Sequence, residues 1–297
     1  GGFHTGLGDN NLSNMGYKII VLICLLVLAV STANSASQKD GLLKIYFLDV
    51  GQGDAIFIEA PNGNQVLIDG GPDNSVLSEL GRVMPFYDKN IDVVLMTHSD
   101  ADHAAGLVEV LDRYDVKNII YSDIIRKSSL YKAWQEAVVK EEASVIEPVA
   151  GRTIDLGNDA TITILHPAES LSGKVMEKVN NNSVIAMLTY GETEVLLTGD
   201  IEAKTERQII LSEADIDADI LKVAHHGSKT STTEEFLSAI SPQVAVIQVG
   251  AKNRYGHPTR EVLKRLENYD IKYYRNDLDG TVKLVSDGKN YQIITTN

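Results

Sequence analysis

Cysteine is almost absent: among 297 residues the only one is Cys24, inside an apolar run. That excludes a disulfide framework and a thiolate zinc cluster. Any metal must therefore sit on His, Asp or Glu. Positive charge is also scarce. Twenty-seven Lys and Arg face 41 Asp and Glu, for a net charge of −14. Residues 1–36 hold one acid (Asp9) and one base (Lys18), so the rest of the chain carries the whole imbalance. Bulk charge excludes a broad basic nucleic-acid-binding face, though not a local basic rim. No linker or low-complexity run divides residues 40–297, which predicts one domain. What is present, 43% apolar and 23% charged residues, is globular composition.

The N-terminus has its own grammar. Residues 1–14 are rich in Gly and Asn, lack an apolar period and are expected to be a disordered extension, with Met15 as the true start. Lys18 precedes twelve unbroken apolar residues, Ile19–Val30, and the small and polar run Ser31–Ala36 follows. A positive start, a short apolar core and a small-residue exit describe a secretory signal over 15–36. A spanning helix needs about 20 apolar residues, so a membrane anchor is the alternative. An exported protein, extracellular or envelope-associated, is expected.

Beyond residue 40 the pattern alternates. Leu42–Val50, Ala55–Ala60 and Gln65–Asp69 read as strands separated by Gly51–Asp54 and Pro61–Asn64, both turn chemistry. Asp92–Met96 is an apolar run fit for a strand buried on both faces. Further strands fit Thr161–Leu165, Val184–Thr189, Val195–Thr198, Asp219–Ala224, Val244–Val249, the region of Tyr273 and Val282–Ile293. Helical spacing marks Val76–Met84, Ala104–Tyr114, Ser128–Glu141, Glu202–Leu211, Thr233–Ile240 and Thr259–Tyr269. An opening meander followed by strand–helix crossovers predicts an α/β fold of two packed mixed sheets with helices on both outer faces.

Polar residues cluster at the predicted strand ends. His98-Ser99-Asp100-Ala101-Asp102-His103 follows a strand and precedes a helix. His98 and Asp100, two apart, point the same way in extended backbone. Asp102 and His103 diverge and fit a second ion. Gly106 permits close packing of the next turn. Asp200 ends a strand in Thr198-Gly199-Asp200 and could bridge two cations. His225-His226-Gly227-Ser228 ends another, and His257 follows a third. Asp69, with Asp54, is placed behind the ligands as an orienting carboxylate. His98, Asp100, Asp102, His103, Asp200 and one or two of His225, His226 and His257 are too many ligands for one tetrahedral ion. Two divalent ions, Zn²⁺ or Mn²⁺, would use them, about 3.5–4 Å apart.

These motifs resemble the metallo-β-lactamase fold superfamily, and within it the soluble hydrolase domain of ComEC-type competence proteins. The likeness rests on Asp49–Ala55, Thr97–Gly106, Leu196–Asp200, Leu221–Ser231 and Asn253–Pro258, and it covers roughly residues 42–290. It implies an αββα sandwich with a dinuclear centre between the sheets. It also places the ligand His directly before Gly, favouring His226, with His225 facing substrate. Two departures stand out. Asp100 replaces the second His of the usual His-x-His motif, and Asn180–Ser183 replaces a middle-motif His. The site that loses them must recruit His226, His225 or His257, or bind its ion more weakly. No thiolate ligand is present, which turns the expectation away from antibiotic hydrolysis.

The expected activity is hydrolysis of phosphodiesters, with Asp102 and His225 as catalytic residues and Ser228, Lys229, Asn182 and Arg254 contacting substrate. Expected substrates are a small or single-stranded nucleic acid or a phosphorylated envelope component. Ester, thioester or lactam hydrolysis is the alternative enzyme class. A non-enzymatic protein with a structural metal is the third, and such sites are usually closed and four-coordinate.

Overall fold

The computed structural model describes Gly1 and residues 40–297. The expected extension after Gly1, the signal or anchor segment 15–36 and Cys24 lie outside the described residues. Turn chemistry builds the opening meander. Strands β1 (Leu43–Phe47), β2 (Ile56–Glu59) and β3 (Gln65–Ile68) pair antiparallel, with Ile45 opposite Ile58 and Ile56 opposite Ile68. The chain then adds strands in parallel. Helix α1 (Ser75–Val83) leads to β4 (Asn90–Met96), α2 (Ala101–Leu111) to β5 (Asp115–Tyr121) and α3 (Ser129–Glu141) to β6 (Ser144–Ile146).

A second sheet repeats that scheme. Strands β7 (Thr153–Gly157), β8 (Ala160–His166), β9 (Ile185–Tyr190) and β10 (Thr193–Leu197) are antiparallel. Strands β11 (Ile220–Lys222), β12 (Val244–Ile247) and β13 (Lys272–Arg275) join in parallel through α4 (Ala203–Leu211), α5 (Glu234–Ile240) and α6 (Arg260–Asn268). After the short α7 (Asn276–Asp279), β14 (Val282–Ser286) and β15 (Tyr291–Thr295) return to β1. The result is an eight-stranded sheet, β15-β14-β1-β2-β3-β4-β5-β6, and a seven-stranded one, β13-β12-β11-β10-β9-β8-β7.

Period-2 alternation explains the layering. Ile45, Phe47, Ile58 and Leu95 face Ile162, Leu188, Val195 and Val246 between the sheets. The alternate residues Tyr46, Phe57 and Val94 lie outward under Leu80, Leu107 and Trp134 of α1–α3. On the other side Leu196, Leu221 and Ala245 pack beneath Phe236, Leu237 and Leu266. This is the expected αββα sandwich. Strands β5, β6 and β7 were not anticipated. Lys117 and Asn118 interrupt the apolar pattern of β5, but Lys117 ion-pairs with Asp92 (2.6 Å) and the Asn118 amide donates to Asp92 O (3.0 Å). Both polar groups are thereby satisfied within the sheet.

Candidate metal centre

The C-terminal ends of β4, β10, β11 and β12 open at one end of the sandwich. The loops after them carry the polar motifs. Asp102 and His103 occupy the first turn of α2, whose N-cap is Asp100. Asp200 follows the Thr198–Gly199 turn. His225 and His226 both adopt left-handed backbone (φ 51° and 54°), a conformation that non-glycine residues hold at a cost when a site requires it. There the turn returns the His226 ring over the strand ends.

The side chains converge. His103 Nε2 lies 3.3 Å from Asp200 Oδ2. His226 Nε2 lies 3.4 Å from Asp200 Oδ2 and 3.4 Å from Asp102 Oδ2. Ligand atoms of Asp102, His103, Asp200 and His226 all fall within 4.8 Å of one another. The His98 ring lies 4.1 Å from that of His103, tilted by 51°, and its Nε2 is 3.9 Å from Asp100 Oδ2.

The hydrogen bonds behind these rings assign their protons. Asp69 accepts from the Thr97 backbone N–H (2.7 Å), the Thr97 hydroxyl (2.6 Å) and His103 Nδ1–H (2.8 Å). The Thr97 hydroxyl proton is thus spent on Asp69, so Thr97 Oγ1 accepts from His98 Nδ1–H (3.0 Å). His226 Nδ1–H donates to the Gln248 carbonyl (2.9 Å), and Asp54 Oδ1 stands 3.3 Å away. The Gln248 amide in turn donates to Leu48 O and Ala55 O. Each of the three rings therefore spends Nδ1 on the scaffold and aims Nε2 into the shared space. Those three Nε2 atoms, with one oxygen of Asp200, are buried without a hydrogen-bond partner among the described residues. Such atoms are costly to leave bare. A cation accepting nitrogen and oxygen donors fits them, and an outer carboxylate or carbonyl on Nδ1 is how metal-binding imidazoles are normally oriented.

The electrostatics agree. Burial lowers the His103 and His226 pKa values, but the surrounding carboxylates, Asp200 foremost, outweigh it and raise both well above the usual value. Burial likewise raises Asp200, yet the His226 and His103 charges hold it well below the carboxylate range. His98, buried and facing the His103 charge, is pushed down to about 3. Asp69 is raised by burial against the pull of His103 and Thr97. Without an ion, protons would do the neutralising that a divalent cation does when bound.

Several expected residues sit elsewhere. His257 lies outside the four-residue group. Its ring stacks on Tyr255 (5.8 Å, 25°) and meets His225 edge-on (5.8 Å), so it walls the cavity instead of joining the ligands. Asp100 stays at the cavity, with one oxygen 3.2 Å from Arg126 and the other towards His98. Ser228 bonds Thr230, and Lys229 is exposed to solvent away from the cavity. Arg254 lies over the Tyr255 ring at 5.2 Å. Asn182 faces a separate hollow with His166 and Lys204. Asn180 takes the position expected of Asn182, 3.3 Å from His225 Nε2. The cavity of about 320 Å³ over the cluster is lined by Gln52, Asp100, Asp102, Asn180, Asp200, His225, His226, Tyr255 and His257.

The sequence reading missed Lys222, Arg126, Gln248 and Asn180. Lys222 had one available signal, a lysine in a strand otherwise destined for the core. Asn180 lies in the Asn180–Ser183 stretch that stands where a middle-motif His is expected, with nothing to set it apart from Asn182, and the other two carry no signal.

Residues 48–251 match the metallo-beta-lactamase superfamily. The chain is 33% identical over 261 residues to ComE operon protein 3 of Bacillus subtilis, covering 81% of this chain and 32% of that protein. It is 29% identical over 271 residues to Recombination protein 2 of Haemophilus influenzae, covering 89% and 31%. The chain thus spans about a third of the length of these relatives. Among solved structures, the metallo hydrolase Igni18 of Ignicoccus hospitalis superposes with a TM-score of 0.53 at 17% identity, covering 82% of this chain and 98% of that one, a likeness of fold. Matched over most of its described length and folded as an αββα sandwich, the chain belongs to the metallo-β-lactamase superfamily, with a ComEC-type hydrolase domain.

Proposed function

We propose that the protein is an exported, metal-dependent phosphodiesterase. The observation that carries the metal is the set of three buried imidazoles, each with Nδ1 engaged and Nε2 bare, around Asp102 and Asp200. Asp102, His103, Asp200 and His226 would hold one divalent ion. His98 and Asp100 would hold the second and share Asp200, with Zn²⁺ or Mn²⁺ suiting this nitrogen and oxygen set. When bound, the ions would polarise a phosphoryl oxygen and make a coordinated water a nucleophile at neutral pH. His225 lines the cavity, where its Nε2 accepts from the Asn180 amide (3.3 Å), and would contact a non-bridging phosphate oxygen. Asp102, whose side chain is 30% exposed, is the ligand carboxylate open to the attacking water. His257 and Tyr255 close the far side.

The choice of phosphodiester over acyl substrate rests on the cavity wall. Apart from Tyr255 and Ala101, its residues are carboxylates, amides and imidazoles, which suit a compact anion near cations better than an acyl chain. With so few bases near the cavity, substrates are small diesters, single strands or phosphorylated envelope components. Export rests on the 15–36 pattern. Among the described residues no helix is long and apolar enough to cross a membrane. The test is a substrate panel with Zn²⁺- or Mn²⁺-loaded protein. Turnover of bis-p-nitrophenyl phosphate with none of nitrocefin or a thioester supports the reading. The reverse selects acyl hydrolysis, and no turnover of any points to a binding protein.

A further inference from the structure

Lys222 ends β11, and its side chain runs beneath the candidate centre, 1% exposed. Lysine is almost never so buried unless paired. Its Nζ contacts the Asp54 carboxylate, donates to Gly199 O (3.1 Å) and lies 3.9 Å from Asp200 Oδ1. From the other side, the Thr198 hydroxyl donates to the Lys222 carbonyl (2.7 Å). The ammonium therefore touches both the turn that presents Asp200 and the carboxylate behind His226.

Asp54 has the chemistry of a ligand. It lies 3.3 Å from His226 Nδ1 and 3.7 Å from His103 Nδ1, and with Asp69 and His103 it forms a second compact donor group. What separates it from a ligand is its place behind the rings: Oδ2 meets the Lys222 ammonium and stands 3.7 Å from His103 Nδ1, while Oδ1 stands 3.3 Å from His226 Nδ1.

We propose that Lys222 is a positioning residue of the metal centre, a fixed internal cation that neutralises Asp54 behind the His103 and His226 rings and holds the Gly199–Asp200 turn in place. The proposal rests on the metal-centre reading above. It follows that the charges of Lys222 and Asp54 act as a unit.

The test is Co²⁺ titration of the metal-stripped full chain, following the visible absorption of the bound ion, with circular dichroism as the fold check. Lys222→Met leaves the Asp54 charge uncompensated behind the imidazoles, which strengthens them as donors to the ion. Co²⁺ should bind no more weakly than in the wild type, with an altered absorption spectrum and a lower kcat at little-changed KM. A merely structural lysine would lower the folded fraction and leave the spectrum of the folded protein unchanged, which would overturn the proposal. Asp54→Asn keeps an oxygen to accept from Lys222 but leaves the ammonium uncompensated. Co²⁺ affinity should fall by about 10–100-fold, the range for an outer-shell partner, and an unchanged affinity would overturn the proposal even if Lys222→Met did not fold. The double variant removes both charges and should return towards wild-type affinity; one as weak as Asp54→Asn would show that the lysine is not the source of the loss. If wild-type protein takes up no Co²⁺, it is the metal-centre reading that fails.

Discussion

Gly106→Ala tests how the site is held together. Gly106 lies on α2, one turn beyond Asp102 and His103, where the helix presses against the loop after β3. A Cβ there would sit 1.9 Å from Gly70 O and 2.5 Å from Asp73 O. Carbon–oxygen contact needs about 3.3 Å, so α2 must retreat by roughly an ångström or more, against backbone that cannot rotate away. Two hydrogen bonds hold α2 in place and would stretch: Gly106 N to Gly71 O (3.1 Å) and Gly70 N to His103 O (2.7 Å). Forced overpacking costs about 1–3 kcal/mol and each of the two lost bonds about 1 kcal/mol, a total of roughly 3–5 kcal/mol. For a domain of this size that lowers Tm by roughly 6–20 °C. Asp102 and His103 move with the helix, so metal affinity should fall together with stability. Thermal denaturation beside equilibrium metal binding reads both. A variant with Tm within about 2 °C of wild type and full metal affinity would refute the claim that this contact sets the ligand positions.

Asp102→Ala and Asp200→Ala should each abolish turnover in a folded chain and lower metal content, since neither carboxylate packs the core; full metal with near-normal turnover would remove them from the centre. His226→Ala should reduce metal content, whereas His225→Ala should lower turnover with metal retained, and the opposite pattern would exchange their roles. In the metal-stripped chain His103 and His226 have raised pKa values, so the folded state holds protons that the unfolded state releases above about pH 6.5. Their contribution is complete below that pH and is lost as pH rises through the folded values. Tm of the stripped protein should therefore fall as pH rises above about 6.5, and that of the metal-loaded protein should not; a rise in the stripped protein would contradict the assignment. Long duplex DNA should bind weakly, with a salt slope far shallower than the roughly 10³–10⁵ loss between 50 and 200 mM shown by a binder of six to ten phosphates; tight, steeply salt-dependent binding would identify a dedicated duplex nuclease.

The sequence exposed what lies close together along the chain. His98, Asp102 and His103 are legible because six residues at one strand end carry four ligand-type side chains, and His226 because it precedes a glycine. Side chains whose partners are distant in sequence are not legible. Lys222 reads as the polar end of a short strand, and only the packing of the eight-stranded sheet against the sheet of β11 shows that it is buried against Asp54. Arg126 is tied to Asp100 across a loop with no motif. Asn180–Asn182 shows a local limit: a single 3₁₀ turn sends Asn180 into the cavity, Asn181 to Glu202 and Thr205, and Asn182 to another hollow. No residue type distinguishes the three. Strand β5 was hidden by Lys117 and Asn118, whose neutralising partners come from the neighbouring strand.

The central claim is that ions held by Asp102, His103, Asp200 and His226, with His98 alongside, drive hydrolysis of a phosphodiester. It is tested most directly by adding Zn²⁺ or Mn²⁺ back to stripped protein while bound metal and turnover of bis-p-nitrophenyl phosphate are measured on the same samples. Turnover should be absent in the stripped protein and rise in step with bound metal, up to two ions per chain. Full turnover without metal, or two bound ions with none, would contradict the account.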